Sequence, residues 1–336
     1  MPELASAPPP SGGRRRVKNL MLAAVLLASV ALMWWLWTPD LRRSDLEQKY
    51  LAAPGDMVQV GVWRLHVRDS GPRDGDVLLL IHGFGASLQT WDAWAAQLGR
   101  SHRVIRFDLP GSGLSLPDPA SDYTDGRSMA LLLALMDELG VARASIVGHS
   151  IGGRIAWTFA ALHPERVDRL VLVAPDGFAS PGFEYGQAPA VPAMLGAMRY
   201  VLPKVVLRAS LKPAYADPAM LTAELVMRYD DLIRAPGARQ ALLDRMRQTV
   251  LVDPRPLLAA IRAPTLLLWG ERDAMIPFAN ATDYLNALTN ARRVSFARSG
   301  HLPHEEAAAE SVAVVERFLA QAGPVTSGPR DSVTPP

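Results

Sequence analysis

The sequence contains no cysteine among its 336 residues. Disulfides, thiolate metal sites, iron–sulfur clusters, a cysteine nucleophile and a lipoprotein lipid-anchor cysteine are therefore all excluded. Internal repeats are also missing, and a hydrophobic share of 49% is too high for a disordered protein. The length suits one large α/β domain with an insertion, or two small domains.

A strong net charge is missing as well. The chain has 35 basic and 33 acidic residues, a formal net charge of +2 and a pI of about 9.0. The excess is local, because Arg14, Arg15, Arg16 and Lys18 lie in a short N-terminal cluster. Residues 38–336 carry 31 basic and 32 acidic side chains, so we expect no nucleic-acid partner on electrostatic grounds.

An uncharged run of 18 residues, from Leu20 to Trp37, follows this basic cluster. As a helix it would be about 27 Å long, close to the ~30 Å thickness of a hydrocarbon core. The pattern predicts a disordered basic cytoplasmic tail at 1–19, a single-pass transmembrane signal anchor at 20–37, and a body in the periplasm or outside the cell. A cleaved signal peptide and a buried helix of a soluble protein are the alternatives.

The body follows a predicted linker at 38–56 and alternates between strand-like and helical patterns. Its apolar runs predict strands at Val58–Val67, Val77–Ile81, Val104–Phe107, Ala144–Val147, Leu170–Val173, Thr265–Trp269 and, more weakly, Arg293–Phe296. This alternation predicts an α/β domain with a doubly wound, mostly parallel sheet over residues 57–321. The alternation is interrupted at about 176–258, which predicts an inserted helical cap, and residues 322–336 are predicted to form a disordered tail.

The pattern Gly-x-Ser-x-Gly occurs around Ser150, between a predicted strand and a predicted helix. In that setting a tight turn presents the serine outward, and the glycines allow close packing. We therefore predict that Ser150 is a nucleophile rather than a structural turn serine.

A serine hydroxyl needs a base and an orienting carboxylate. His301 lies in the loop after the last strand of the body, and Asp273 follows the strand Thr265–Trp269, so both belong at the carboxyl edge of the sheet. The order serine, aspartate, histidine is the one expected for this architecture. Glu271 and Asp176 are rival acids. His304 is predicted to pack or cap the final helix, and we expect no metal at these histidines.

An acyl-transfer transition state also needs oxyanion donors. The backbone N–H groups of Ile151 and Phe84 are the candidates, the latter in the glycine-rich loop after Val77–Ile81. A phosphate cradle is the competing interpretation of that loop, without the Lys–Ser/Thr pair of a P-loop. Asp108 is predicted to be buried and hydrogen-bonded. Apolar side chains of the cap are candidates for an acyl pocket: Phe178, Phe183, Tyr185, Met194, Met198, Tyr200 and Met227.

Together these motifs resemble the α/β-hydrolase superfamily over roughly residues 57–320. Relatives that are dehalogenases or epoxide hydrolases carry Asp at the nucleophile position, which Ser150 argues against. The resemblance implies a carboxylesterase or lipase with a lid, acting on a small-molecule or lipid ester without metal or organic cofactor. One alternative is carbon–carbon bond hydrolysis of dienone acids, with Arg154 as a candidate for the substrate carboxylate. A membrane-anchored binding protein on an inactive hydrolase fold is the non-enzyme alternative.

Overall fold

A computed structural model describes residues 12–179, 184–321 and 332–333. The first eleven residues of the predicted basic tail and most of the predicted C-terminal tail lie outside the described residues. Nine strands form one sheet: β1 (Met57–Val60), β2 (Trp63–Ser70), β3 (Val77–Ile81), β4 (Arg103–Phe107), β5 (Ala144–His149), β6 (Val167–Val173), β7 (Thr265–Gly270), β8 (Ala291–Phe296) and β9 (Ser332–Val333). The described part of the C-terminal tail, Ser332–Val333, forms a strand beside β8 and is not disordered as predicted.

The sheet is mostly parallel, as predicted. Its order is β1-β2-β4-β3-β5-β6-β7-β8-β9, and only the β1–β2 and β2–β4 pairs are antiparallel. The alternating pattern at Val58–Val67 therefore does form an antiparallel hairpin, with Met57 opposite His66. The central strands are buried on both faces, which explains their continuous apolar runs.

Helices cover both faces of the sheet. Their bounds are α1 (Gly12–Leu36), α2 (Arg43–Tyr50), α3 (Asp92–Leu98), α4 (Asp125–Glu138), α5 (Ile151–Leu162), α6 (Lys204–Leu211), α7 (Ala223–Ile233), α8 (Ala238–Gln248), α9 (Arg255–Ala260), α10 (Asn280–Ala287), α11 (Pro303–Glu306) and α12 (Ala308–Leu319). Side chains of α4, α5, α9 and α10 pack on one face, and those of α3 and α12 on the other. The chain is thus a doubly wound α/β fold.

The stretch between β6 and β7 holds the predicted short helices. We use the name cap for a 3₁₀ turn at Ala193–Arg199 together with α6, α7 and α8. The last helix of the stretch, α9, belongs elsewhere, because its Leu258 is fully buried in the core on the α5 face of the sheet.

The N-terminal region has two parts. Within α1, the stretch Arg16–Leu36 has a mean hydropathy of 2.0 and none of it is buried, so it is long and apolar enough to cross a membrane. The segment at 38–56, predicted as a linker, contains α2, whose Leu46 is buried against Met57 and the cap residue Leu232. It therefore packs on the body.

Candidate active site

A strained turn connects β5 to α5 at Ser150. The serine has φ +53° and ψ −120°, a backbone conformation that a residue with a side chain rarely adopts. Glycines surround this turn because side chains would not fit. A Cβ on Gly148 would lie 2.2 Å from the carbonyl oxygen of Gly152, and one on Gly152 would lie 2.4 Å from that of Ile81. The predicted strand–turn–helix setting is confirmed.

Asp273 and His301 come together at the ends of β7 and β8. The Nδ1–H of His301 donates to Oδ2 of Asp273 at 2.8 Å, and both side chains are almost fully buried. The other carboxylate oxygen, Oδ1, accepts the backbone N–H groups of Met275 and Ile276 at 2.8 and 2.9 Å. The carboxylate is therefore held in one orientation, with one oxygen directed at the histidine.

The histidine loop packs directly against the residue that precedes the serine. The Nε2–H of His149 donates to the carbonyl oxygen of His301 at 3.0 Å, and the two rings lie 4.6 Å apart. The N–H of His301 in turn donates to the carbonyl oxygen of Ala214, in the turn after α6, at 2.8 Å. His301 thus contacts both the serine turn and the end of α6.

The glycine-rich loop after β3 lies over the same turn. A Cβ on Gly83 would be 2.5 Å from Nδ1 of His149 and 3.3 Å from Cβ of Ser150. Within the described part of the chain, the backbone N–H groups of Phe84 and Ile151 donate no hydrogen bond to a protein acceptor. The two predicted oxyanion donors are therefore available, one in the loop and one at the start of α5.

Behind the glycine-rich loop lies a buried polar network centred on Asp108. Its carboxylate accepts Nδ1–H of His66 at 2.7 Å and the N–H groups of Leu88 and Leu114. Burial opposes ionisation, but His66 and these donors hold the pKa of Asp108 below its ordinary value. The prediction that Asp108 is buried and hydrogen-bonded is confirmed. His66, 42 residues away, was not predicted, because no local pattern pairs the two.

His82, at the start of the glycine-rich loop, also ties this loop to its neighbour. Its Nδ1–H donates to the carbonyl oxygen of Gly83 at 2.7 Å, and its Nε2 accepts the N–H of Leu109 at 2.9 Å. Burial lowers the pKa of His82, so the ring is neutral. The position of Phe84 is therefore fixed from behind by hydrogen bonds.

The rival acids lie in different surroundings. Glu271 is exposed and accepts a hydrogen bond from Ser295 on β8 at 2.7 Å. Asp176 lies 3.4 Å from Nε of Arg154, and burial raises its pKa. Only Asp273, among the three, is hydrogen-bonded to His301.

His304 is fully buried beside the site, as its predicted packing role requires. Its ring lies 4.6 Å from the ring of His149 and 4.4 Å from that of Trp91, and Nε2–H donates to Oγ1 of Thr90 at 2.9 Å. Burial and the nearby His301 lower its pKa to about 3. No group of three or more His, Cys, Asp or Glu side chains that could hold a metal occurs among the described residues.

Arg154 lies one helical turn after Ser150, with only 3% of its side chain exposed. It is neither a simple surface residue nor a free cation, because it pairs with Asp125 and Asp176, each at 3.4 Å. Beside it is a cavity of about 380 Å³ with a mainly apolar lining that includes Met129, Trp157, Leu251 and Leu257. Its volume is within the range of small-molecule sites.

The predicted acyl-pocket residues of the cap are scattered. Phe178 packs edge-on against Tyr284 at 4.9 Å, on the main core. Met194 and Tyr200 are 82% and 55% exposed, so they lie on the outer surface of the cap instead. Phe183 lies outside the described residues.

Comparison with known sequences supplies the family. The sequence profile of the family described as the alpha/beta hydrolase fold matches residues 76–308, from β3 to the start of α12. The chain belongs to the α/β-hydrolase family. The resemblance inferred from the motifs is thereby confirmed, and a hydrolase fold supports an enzymatic role.

Relatives of this α/β-hydrolase differ in their named reactions. A 2-hydroxymuconate semialdehyde hydrolase of Pseudomonas sp. strain CF600 is 31% identical over 80% of this chain and 94% of its own length. An enol-lactonase structure from Burkholderia xenovorans LB400 is 25% identical, with a TM-score of 0.68, over 79% of this chain and 99% of that one. A membrane phospholipase A structure is 27% identical, with a TM-score of 0.66, over 90% and 98%.

Proposed function

We propose that this α/β-hydrolase is a membrane-anchored serine hydrolase that cleaves carboxylic esters through an acyl-enzyme. The observation that carries the proposal is the 2.8 Å hydrogen bond between Nδ1 of His301 and Asp273, in a loop packed against the strained turn of Ser150. A serine held in a strained turn, with an oriented imidazole in the adjacent loop, is the arrangement that an activated serine requires.

Each residue then has one role. Asp273 accepts a hydrogen bond from Nδ1–H of His301, which leaves the lone pair of Nε2 free to remove the proton of Ser150. The serine Oγ attacks the ester carbonyl, and the N–H groups of Phe84 and Ile151 stabilise the oxyanion. Protonated His301 gives its proton to the leaving alcohol, and a water activated by the same ring then releases the acid from Ser150.

The two other histidines of the site support this chemistry by staying neutral. Burial lowers the pKa of His149 well below its ordinary value, with His304 and His301 adding to the effect, and burial lowers that of His304 to about 3. His301 must become an imidazolium during the reaction, and a charged neighbour at 4.6 Å would oppose that. Neutral neighbours leave Asp273 as the dominant electrostatic partner.

Carbon–carbon bond hydrolysis is the second candidate function, favoured by the 31% identity to the semialdehyde hydrolase. Its substrates carry a carboxylate, for which Arg154 was the candidate receptor. Arg154 pairs with Asp125 and Asp176 at 3.4 Å, but its Nε and Nη1 have no hydrogen-bond partner among the described residues. The dienone-acid candidate therefore stands beside the ester proposal, and the turnover of the two substrate classes decides between them.

Membrane anchoring through α1 completes the proposal, with the N-terminus in the cytoplasm and the hydrolase domain periplasmic or extracellular. The exposed apolar stretch of α1, with basic residues at its start, supports it. The similarity to a structure named as a membrane phospholipase A adds support. A reporter fused after residue 56 that is active only in the cytoplasm would refute this orientation.

The test is a rate profile over p-nitrophenyl esters of increasing acyl length, with a dienone acid as a further substrate. We expect ester turnover that Ser150→Ala abolishes. Turnover of the dienone acid without ester cleavage would replace the ester proposal by the second candidate. No turnover of any substrate, together with no labelling by a fluorophosphonate, would favour the binding-protein alternative.

A further inference from the structure

The chain that leaves α1 is hydrogen-bonded directly to the cap. The N–H of Thr38 donates to the carbonyl oxygen of Tyr200 at 2.8 Å, and its Oγ1 accepts the N–H of Leu202 at 2.7 Å. Nη1 of Arg239, on α8, donates to the carbonyl oxygen of Thr38 at 2.7 Å. The end of the apolar helix and the cap therefore meet two residues beyond α1.

The next residues continue this attachment. Nη2 of Arg239 pairs with Asp40 at 2.6 Å, and Nε of Arg234 donates to the carbonyl oxygen of Pro39 at 2.9 Å. The N–H of Leu41 donates to the carbonyl oxygen of Arg234 at 2.8 Å. Because Arg239 is almost fully buried, its bonds are protected from water, so the segment holds the cap at a fixed position relative to the end of α1.

Large apolar side chains are exposed on the cap beside this attachment. Val205 and Val206, on the outer face of α6, are 74% and 52% exposed, whereas Leu207 of the same helix is buried. We use the name cap patch for these valines with Met194, Leu195 and Tyr200. Several exposed large apolar residues on neighbouring segments, here the 3₁₀ turn and α6, usually mark an interaction surface.

The charged residues of the cap stretch 187–216 are all basic, and the acidic Asp230 and Asp40 lie nearby, paired with Lys204 and Arg239. The stretch 187–216 contains four basic residues and neither Asp nor Glu. They are Arg199, Lys204, Arg208 and Lys212, and all four are exposed. Exposed apolar residues mixed with basic ones are the composition of surfaces that bind the interface of anionic membranes.

We propose that the cap patch lies in the headgroup region of the membrane that α1 spans, and that its occupant is a bilayer containing anionic lipid. This inference rests on the proposed membrane anchor. Two independent observations point to lipid rather than to a second protein. One is the set of hydrogen bonds that place Tyr200 of the patch beside the end of α1, and the other is the set of four exposed basic residues in the stretch 187–216.

The position has a consequence for the substrate. The turn that follows α6 contains Ala214, whose carbonyl oxygen accepts the N–H of His301, so the membrane-facing cap and the catalytic loop are in direct contact. Esters dissolved in the bilayer would therefore reach the site from the lipid side. The substrate class that fits is an amphiphilic ester held in the membrane.

The absence of native cysteine makes a direct test possible. Met194→Cys and Val205→Cys, each in the full-length protein, carry a fluorescent label in vesicles of phosphatidylcholine and phosphatidylglycerol that contain nitroxide-labelled lipid. The matched control is Leu162→Cys, an exposed apolar position at the far end of α5, on the opposite edge of the sheet from Ser150.

We expect several-fold stronger quenching at 194 and 205 than at 162, and weaker quenching at both when phosphatidylglycerol is omitted. Quenching equal to that of the control would overturn the inference, as would labels shielded from water but not quenched by lipid, which would indicate a protein partner. If a salt wash removes the protein from the vesicles, α1 does not anchor it in the bilayer, and the inference is overturned because it rests on that anchor.

A second variant tests whether docking of the cap patch on the membrane promotes hydrolysis of esters held there. Val205→Asp with Val206→Asp should reduce hydrolysis of a long-chain ester held in vesicles and leave that of a short soluble ester unchanged. An equal loss on both substrates would contradict a docking role. Quenching needs no activity, so a labelled protein that docks but hydrolyses nothing would refute the ester proposal alone.

Discussion

The catalytic edge of the sheet and the cap are held together by different kinds of contact. At the catalytic edge, backbone atoms approach so closely that a Cβ on Gly270 would lie 2.0 Å from the carbonyl oxygen of Gly300. The cap is held by buried apolar side chains such as Leu232 and by hydrogen bonds such as that of Arg239 to Thr38, and part of its outer face is apolar and exposed. The edge is thus built for fixed geometry, and the cap for contact with something outside the protein.

The largest expected effect on activity comes from a substitution at the catalytic edge, at Ser150. Ser150→Ala should lower kcat for esters by about 10⁶-fold, because removing the nucleophile of such a triad leaves only transition-state binding. Steady-state kinetics on a p-nitrophenyl ester measure it. Ser44→Ala, at an exposed serine on α2, is the matched control and should keep full activity. Comparable rates in both variants would contradict the assignment.

The second largest effect on kcat should come from the orienting carboxylate of Asp273. Asp273→Asn should lower kcat by about 10⁴-fold without unfolding the protein, because the amide favours the wrong tautomer of His301. Glu271→Gln, at the exposed rival acid, should change the rate little. A larger loss in the second variant would move the role of the acid to Glu271. Circular dichroism of both variants checks the fold.

The buried histidines predict how stability depends on pH. Burial lowers the pKa of His304 to about 3, below the ~6.5 of an unfolded chain. The unfolded state therefore binds the proton first, and stability is lost as pH falls from about 6.5 toward 3, by about 1.4 kcal/mol per pH unit for one such group. Urea unfolding between these pH values should show a shallower dependence in His304→Gln. An unchanged slope would show that His304 does not cause this loss.

The smallest expected effect concerns the cap attachment. Thr38→Val removes the acceptor for the N–H of Leu202 and should cost about 1 kcal/mol of unfolding free energy. Turnover of a soluble ester should stay within about twofold, since the catalytic edge is untouched. Thr289→Val, on the exposed surface before β8, is the matched control. A large loss of soluble-ester activity would mean that the two regions are coupled more tightly than their contacts indicate.

The sequence was most informative where function depends on local backbone. Strands β1 to β8 follow from short patterns in the sequence, whereas β9 lies in the tail predicted to be disordered. The turn at Ser150 and the loop positions of Asp273 and His301 also follow, since each comes after an apolar strand. Contacts between distant segments could not be predicted in this way. Arg239 and Thr38 are 201 residues apart, and the contact between the rings of His149 and His304 depends on β5 and α11 meeting in the folded protein.

The exposure of side chains in the cap could not be predicted from the sequence either. Met194 and Tyr200 were candidates for an acyl pocket because apolar residues of short helices are usually buried. Both lie on the surface, because a short helix buries only one side, just as α6 buries Leu207 and exposes its two valines. The sequence suggested that Arg154 either faces a substrate pocket or lies exposed on its helix. Neither interpretation included the ion pairs with acidic residues on both sides of it.

The central claim is that Ser150 is an activated nucleophile. The most direct measurement is mass-spectrometric mapping of a fluorophosphonate adduct on the full-length protein. We predict one adduct, on Ser150, that forms much more slowly in Asp273→Asn and His301→Ala. An adduct on another serine, or labelling of Ser150 at the same rate in all three proteins, would contradict it.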